Sequence, residues 1–271
     1  MQPRQIFTLA GALALAAPAL VLAQQFEGII KQRSITVSMG ILEERGFDVS
    51  EAMFDVPVER LLALQDELRP EDMTVTDEEM YIKGNMFRVG ASDTEGEGYV
   101  IVDMDQGIWW MVQTDKQMYM EMTAADLDQM RGMMAGMGPK EEGGKPEARE
   151  TGLTRTINGM ASKAYDLDTE DGTTRVWVSQ DDDDLFSAFT RFADRMREMT
   201  FMDDDGVDPS MIVAQHGFPM LVQELPHEMY DMYQVEEVVS IERRQLSDDL
   251  FTVPADFQKR TMADMMQGPG R

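Results

Sequence analysis

Residues 79–122, EMYIKGNMFRVGASDTEGEGYVIVDMDQGIWWMVQTDKQMYMEM, decide the fold. Five short segments, MYIKGN, MFRVGAS, GYVIVDMD, IWWMVQ and QMYMEM, are rich in branched and aromatic residues, and Gly-Asn, Glu-Gly-Glu-Gly, Asp-Gln-Gly and Asp-Lys separate them. Extended runs divided by turn-forming residues specify an antiparallel meander. Side chains alternate across a strand, so Trp109 and Trp110 must point to opposite faces, while Met118, Met120 and Met122 share one.

The same reading extends both ways. Upstream, FEGIIKQRSITVS (26–38) interleaves apolar and polar residues as a strand with one solvated face does. Val58, Leu61, Leu62, Leu64 and Leu68 recur at helical spacing between Pro57 and Pro70, which predicts a helix over 57–69. Downstream, Thr123 and Asp126 form a capping box ahead of Leu127, Met130, Met134 and Met137, a short helix over 124–137. Residues 138–150, GPKEEGGKPEARE, have the composition of a flexible linker. Asn158-Gly159 and Asp171-Gly172 then mark two hairpins, and Leu185, Phe189, Phe192, Met196 and Met199 line a helix over 182–201 behind four aspartates. FPMLVQEL and YQVEEVVSIERRQL read as further strands, and DLFTVPADFQ as a docking segment. No fixed repeat is present, which disfavours solenoids and propellers. The expected architecture is one α+β domain over 24–271, a large curved antiparallel sheet partly covered by helices, which the linker does not split in two.

Residues 1–23, MQPRQIFTLAGALALAAPALVLA, combine a basic start, an apolar run and small residues before Gln24, as a cleaved secretory signal peptide does. No later run approaches the ~20 apolar residues of a spanning helix. The expected product is periplasmic and soluble, with no stable membrane insertion after cleavage. The formal charge of −27 opposes binding to nucleic acid and to anionic headgroups, and it suits a basic periplasmic protein as partner. With no cysteine and only two histidines, disulfides, thiolate metal sites and most imidazole chemistry are excluded, whereas 26 methionines stand out.

FEGII (26–30), YIKGNMFRV (81–89), IVDMDQGIWWMVQTDKQMYMEM (101–122), TRTINGMASKAYDL (154–167), TTRVWVSQD (173–181) and DLFTVPADFQ (249–258) together resemble the bacterial domain-of-unknown-function family 4412. That family is similar in architecture to the periplasmic lipoprotein carriers. The resemblance implies a half-barrel sheet enclosing an apolar cavity. The chain departs from simple members in the 57–69 helix, the methionine-rich 124–150 region and the acidic segment around Asp203.

Motif chemistry is sparse. His216 in AQHGFP and His227 in LPHEMY lie in no known nucleophile context, and no P-loop, G-x-S-x-G or H-E-x-x-H occurs. No catalytic residue and no cofactor are expected, with a hydrolase built on acid pairs the residual enzymatic alternative. Asp181–Asp184 and Asp203–Asp205 fail the spacing of a calcium loop. Thioethers suit copper(I), and Met118-x-Met120-x-Met122, Met130-x-x-Met133-Met134-x-x-Met137 and Met262-x-x-Met265-Met266 give the second reading, a copper-handling protein. The first reading is a noncatalytic exported carrier of an apolar ligand, lipid or lipidated protein. Its expected lining is Trp110, Met118, Met120, Met122, Val176 and Val178, because flexible, polarizable side chains accept varied apolar partners.

Overall fold

A computed structural model describes residues 25–91, 98–123, 125–126, 147–169, 171–199, 213–227 and 232–261. Twelve strands among them form one sheet: β1 Glu27–Ser38, β2 Met73–Lys83, β3 Met86–Ala91, β4 Tyr99–Asp103, β5 Ile108–Gln113, β6 Met118–Thr123, β7 Arg149–Ile157, β8 Met160–Asp168, β9 Gly172–Ser179, β10 Phe218–Pro226, β11 Met232–Arg243 and β12 Gln258–Arg260. Their spatial order is β12-β6-β5-β4-β3-β2-β1-β11-β10-β9-β8-β7. β12 runs parallel to β6, and the other pairings are antiparallel. The expected meander is β2 to β6, and the expected hairpins are β7-β8 and β8-β9.

The sheet is an open, curved layer, and one hydrogen bond shows the bend. Asn158, in the β7-β8 turn, donates from its side-chain amide to the carbonyl of Val238 on β11. β9 and β10 intervene between β8 and β11. In a flat sheet those strands would stand ~14 Å apart at the usual strand spacing. The β7-β8 hairpin therefore curls back over the layer, and the Arg155 guanidinium from β7 lies 4.1 Å over the Trp177 ring of β9.

The central strands change their buried face midway. The β1-β2 ladder is unbroken from Glu27–Lys83 to Val37–Met73, so alternation puts Ile35, Val37, Met73 and Val75 on one face and Ile30, Met80 and Ile82 on the other. The first group packs with Met39, Leu42, Phe47, Met53, Phe54 and Leu61 from the β1-β2 connection. That connection holds helices α1 (Met39–Glu44) and α2 (Val58–Leu62), with 3-10 turns at Glu51–Asp55 and Gln65–Glu67. The second group packs under Leu185, Ala188, Phe189 and Phe192 of α3 (Asp183–Met199). Between the two cores the α1 face is polar. Lys31 meets Glu79 at 3.3 Å, and Arg33 meets Asp77 at 2.8 Å and Glu237 at 3.5 Å.

The helix expected over 57–69 is thus an α-turn followed by a 3-10 turn, since the chain tightens at the helix end before Pro70. α3 matches the expected 182–201 helix. Asp182 caps it by accepting from the Leu185 N–H at 3.0 Å, and Arg243 binds Asp182 and Asp184, so these acids serve the helix start. The Thr123 box is formed in both directions: Thr123 N–H donates to Asp126 Oδ2 at 2.8 Å, and Asp126 N–H to Thr123 Oγ1 at 3.3 Å. Most of the expected 124–137 helix, residues 138–146 and the signal segment lie outside the described residues. Arg149 and Glu150, placed in the linker by composition, already belong to β7 and pair with Asp166 and Tyr165.

Gly28 explains part of the FEGII motif, because a Cβ there would meet the Glu242 carbonyl oxygen at 2.2 Å. The closing DLFTVPADFQ segment docks as expected. Phe251, in a 3-10 turn over Asp248–Phe251, is buried with Ile29, Ile101 and Leu246. Among the described residues no helix is long and apolar enough to cross a membrane.

Candidate functional site

The β5-β6 register builds a methionine face. Trp109 stands opposite Met122, Met111 opposite Met120, and Gln113 opposite Met118. On the other side of β5, Val102 and Val100 stand opposite Trp109 and Met111. Directly opposed side chains sit ~5 Å apart at Cβ, so the thioethers of Met111 and Met120 are neighbours. Met120 is buried, while Trp109, Met111, Met118 and Met122 are half-buried. Trp109 packs against the α3 core, so the methionine face continues that core toward the sheet edge.

The six residues expected to line one cavity fall into three places. Met118, Met120 and Met122 share the methionine face. Trp110 points through the sheet to the other side, where it packs with Ile101, Leu246 and Phe251. Its indole N–H donates to Glu121 Oε2 at 3.1 Å, and Glu121 in turn meets Lys259 at 2.7 Å. The Lys259 hydrogen bond, joined by that from Trp110, holds the Glu121 carboxyl below its ordinary value. Val176 and Val178 belong to a separate cluster with Tyr165, Leu167, Val213 and Val222 at the β8-β10 end. Trp109, absent from the expected lining, is the tryptophan on the methionine face. Counting the Asp-Lys turn back from Met122 could have found it.

Val178 and Tyr165 also floor an open cleft of ≈ 370 Å³ rimmed by Thr154, Lys163, Gln180, Asp181 and His216. Ser162 lines it too, so serine, histidine and aspartate meet in one place. Their bonds lead elsewhere. The His216 ring stacks on Tyr165 at 4.5 Å, Ser162 Oγ donates to the Met160 carbonyl at 3.2 Å, and Asp181 Oδ2 accepts from the Ala161 N–H at 2.5 Å. That wiring orients no nucleophile.

Beneath the α1 face lies a buried polar network. Gln223 accepts from Trp177 Nε1 at 3.3 Å and donates to the Phe54 carbonyl at 3.2 Å and to Tyr233 Oη at 3.1 Å, while Tyr233 donates to the Met53 carbonyl at 3.2 Å. Desolvation pushes the Tyr233 phenol up to about 12. Nearby, Arg175 grips Asp166 through two bonds, at 2.7 and 3.0 Å, and its guanidinium lies 4.4 Å over Phe54. These groups lock the connection onto the sheet and fill this side of the curve. Among the described residues no three His, Cys, Asp or Glu side chains gather as a metal site requires.

Comparison with solved structures gives low identity throughout. PNGF-II is 9% identical with a TM-score of 0.40 over 89% of this chain, which spans only 32% of PNGF-II. An uncharacterized conserved protein from Thermus thermophilus is 9% identical with a TM-score of 0.38, covering 86% of this chain and 90% of its own. The LolA superfamily protein NE2245 from Nitrosomonas europaea is 10% identical with a TM-score of 0.32, over 85% and 91% respectively. No curated protein matches the chain. The family described as a domain of unknown function, DUF4412, matches residues 67–257, well over half the sequence, and the chain belongs to that family.

Proposed function

We propose that the protein is a noncatalytic, exported carrier that holds an apolar ligand, a lipid or a lipid-bearing protein, against the methionine face of β5 and β6. The observation that carries this reading is the half-buried row Trp109, Met111, Met118 and Met122, which extends a filled core outward along one face. Unbranched thioether side chains rearrange at low cost around different apolar shapes. The leader-like residues 1–23 support a periplasmic location, and the acidic charge supports basic rather than anionic partners. The test is lipid mass spectrometry on protein purified without heating, together with displacement of a fluorescent fatty acid. Co-purifying lipid, and at least tenfold weaker binding by Met111→Glu and Met122→Glu, is expected on burial of a charge in an apolar contact. Absence of both lipid and fatty-acid binding overturns the reading.

A second reading, copper(I) handling, rests on Met111 standing directly opposite Met120, with Met118 and Met122 on the same face. Retention of copper(I) against a weak competitor, lost in Met111→Leu/Met120→Leu, supports it. Failure of the wild type to retain the metal removes it.

A further inference from the structure

The three tryptophans differ in how their indole N–H groups are served. Trp110 donates to Glu121 and Trp177 to Gln223. Trp109 Nε1 is closed off from solvent and has no hydrogen-bond partner among the described residues. A buried polar hydrogen without an acceptor is costly, and an unexplained one marks a place where an acceptor belongs. Every side chain set opposite Trp109 is apolar: Val102 on β4 and Met122 on β6. Two residues upstream, the β4-β5 turn brings in a cation. Gly107 has φ +65°, and a Cβ there would lie 2.1 Å from Nη2 of Arg195 on α3. The methionine face therefore ends in an indole donor that lacks an acceptor, two residues from the turn that Arg195 reaches, and such a donor favours an oxygen acceptor at that end.

We infer that the ligand class is an acyl lipid, whose hydrocarbon chain lies along Met111, Met120 and Met122 and whose carbonyl oxygen accepts from Trp109 Nε1. The inference rests on the carrier reading and narrows it from any apolar molecule to one that bears a carbonyl at the head of its chain. Methionine rotamer changes admit the carbonyl, which takes the place of the apolar neighbours now shielding the N–H. Trp110, which already has an acceptor and faces the other way, has no part in this recognition.

The test compares 1-palmitoylglycerol with 1-O-hexadecylglycerol, which keeps the sixteen-carbon chain and the glycerol but lacks the carbonyl, by displacement of a fluorescent fatty acid from the full chain. The expected result is about tenfold tighter binding of the ester, the worth of one buried hydrogen bond. Trp109→Phe should erase that preference, reducing the ester-to-ether ratio to about one whatever happens to overall affinity, and Trp110→Phe should keep it. The comparison between ligands uses the wild type alone, so it stands even if a variant misfolds. Equal binding of ester and ether overturns the inference and leaves the carrier reading in place. Binding of neither overturns both.

Discussion

β9 and β10 separate β11, which carries Val238, from the β7-β8 hairpin whose turn holds Asn158, yet the Asn158 amide donates to the Val238 carbonyl. Two local irregularities make the contact. Asn158 and Gly159 take φ +49° and +82°, a turn that directs the asparagine side chain toward the sheet. On β11, Val238 pairs with Gln32 and Ser240 with Lys31, so Val239 is an extra residue and the ladder is interrupted beside the acceptor. A bulge and a left-handed turn, about eighty residues apart in sequence, together set the bend of the sheet.

Asn158→Ala should lower stability by about 1–2 kcal/mol, through loss of the hydrogen bond and of a residue that tolerates positive φ. Asn158→Gly keeps the turn and loses only the bond, so it should fall nearer ~1 kcal/mol. Urea denaturation of the two variants checks the order. Equal stability of both variants and wild type would show that the bend does not depend on this contact.

Asp166 and Arg175 form a buried bidentate pair, screened from solvent on both sides. Asp166→Asn should cost about 3–5 kcal/mol, because it leaves a guanidinium without its carboxylate under Phe54. Asp166→Asn combined with Arg175→Met removes the stranded charge and should recover part of that loss. The double-mutant cycle, read as thermal midpoints, measures the coupling.

Tyr233→Phe should cost about 1–3 kcal/mol, since the Met53 carbonyl and one Gln223 proton lose their partner in a dry site. Alkaline titration followed by phenolate absorbance should show one tyrosine ionising at about 12 that is absent from the variant. Loss of the connection from the sheet would instead appear as faster proteolysis between Met39 and Leu68.

Two glutamates on the polar waist respond to pH with opposite sign. The Tyr81 hydroxyl, helped by Lys31, holds Glu79 below its ordinary value. Its contribution is present above the unfolded value and is lost as pH falls through the folded one. Burial raises Glu237 against the pull of Arg33, so its folded form prefers the proton and stability drains away as pH rises through that window. The stability of Glu237→Gln relative to wild type should therefore climb as pH rises upward from the ordinary glutamate range. That of Glu79→Gln should decline as pH rises from below the ordinary glutamate range up to it. Slopes of the same sign for the two variants would contradict this assignment.

Most of the sheet was readable because turn chemistry is local: Asn158-Gly159, the Asp-Lys break before Gln117 and the glycine breaks of the meander mark strand ends wherever they occur. The helix after β9 announced itself through aspartates ahead of an apolar stripe. The change of buried face was less visible, although β1 carries its trace. Ile30 and Ile35 differ in parity, with only polar residues between them. The candidate lining failed to converge for a related reason. Alternation says that Trp109 and Trp110 diverge, but only the cross-strand register with Met122 tells which of them joins the methionines. Val176 and Val178 looked equivalent to β6 positions by pattern, and the order of strands separates them by most of the sheet.

The reversal of inward side between the two ends of β1 and β2 gives the molecule a pair of interiors joined by a charged isthmus rather than a shared nucleus. Along β1 and β2 the described side chains between the two interiors are polar, while Ile157 at the end of β7 packs against both, so rearrangement around Trp109 has only a narrow apolar route to the Tyr233 end. Amide exchange should then report two protection levels within the same long hairpin, with cargo loading slowing exchange at Met80–Ile82 and leaving Ile35–Val37 unaltered.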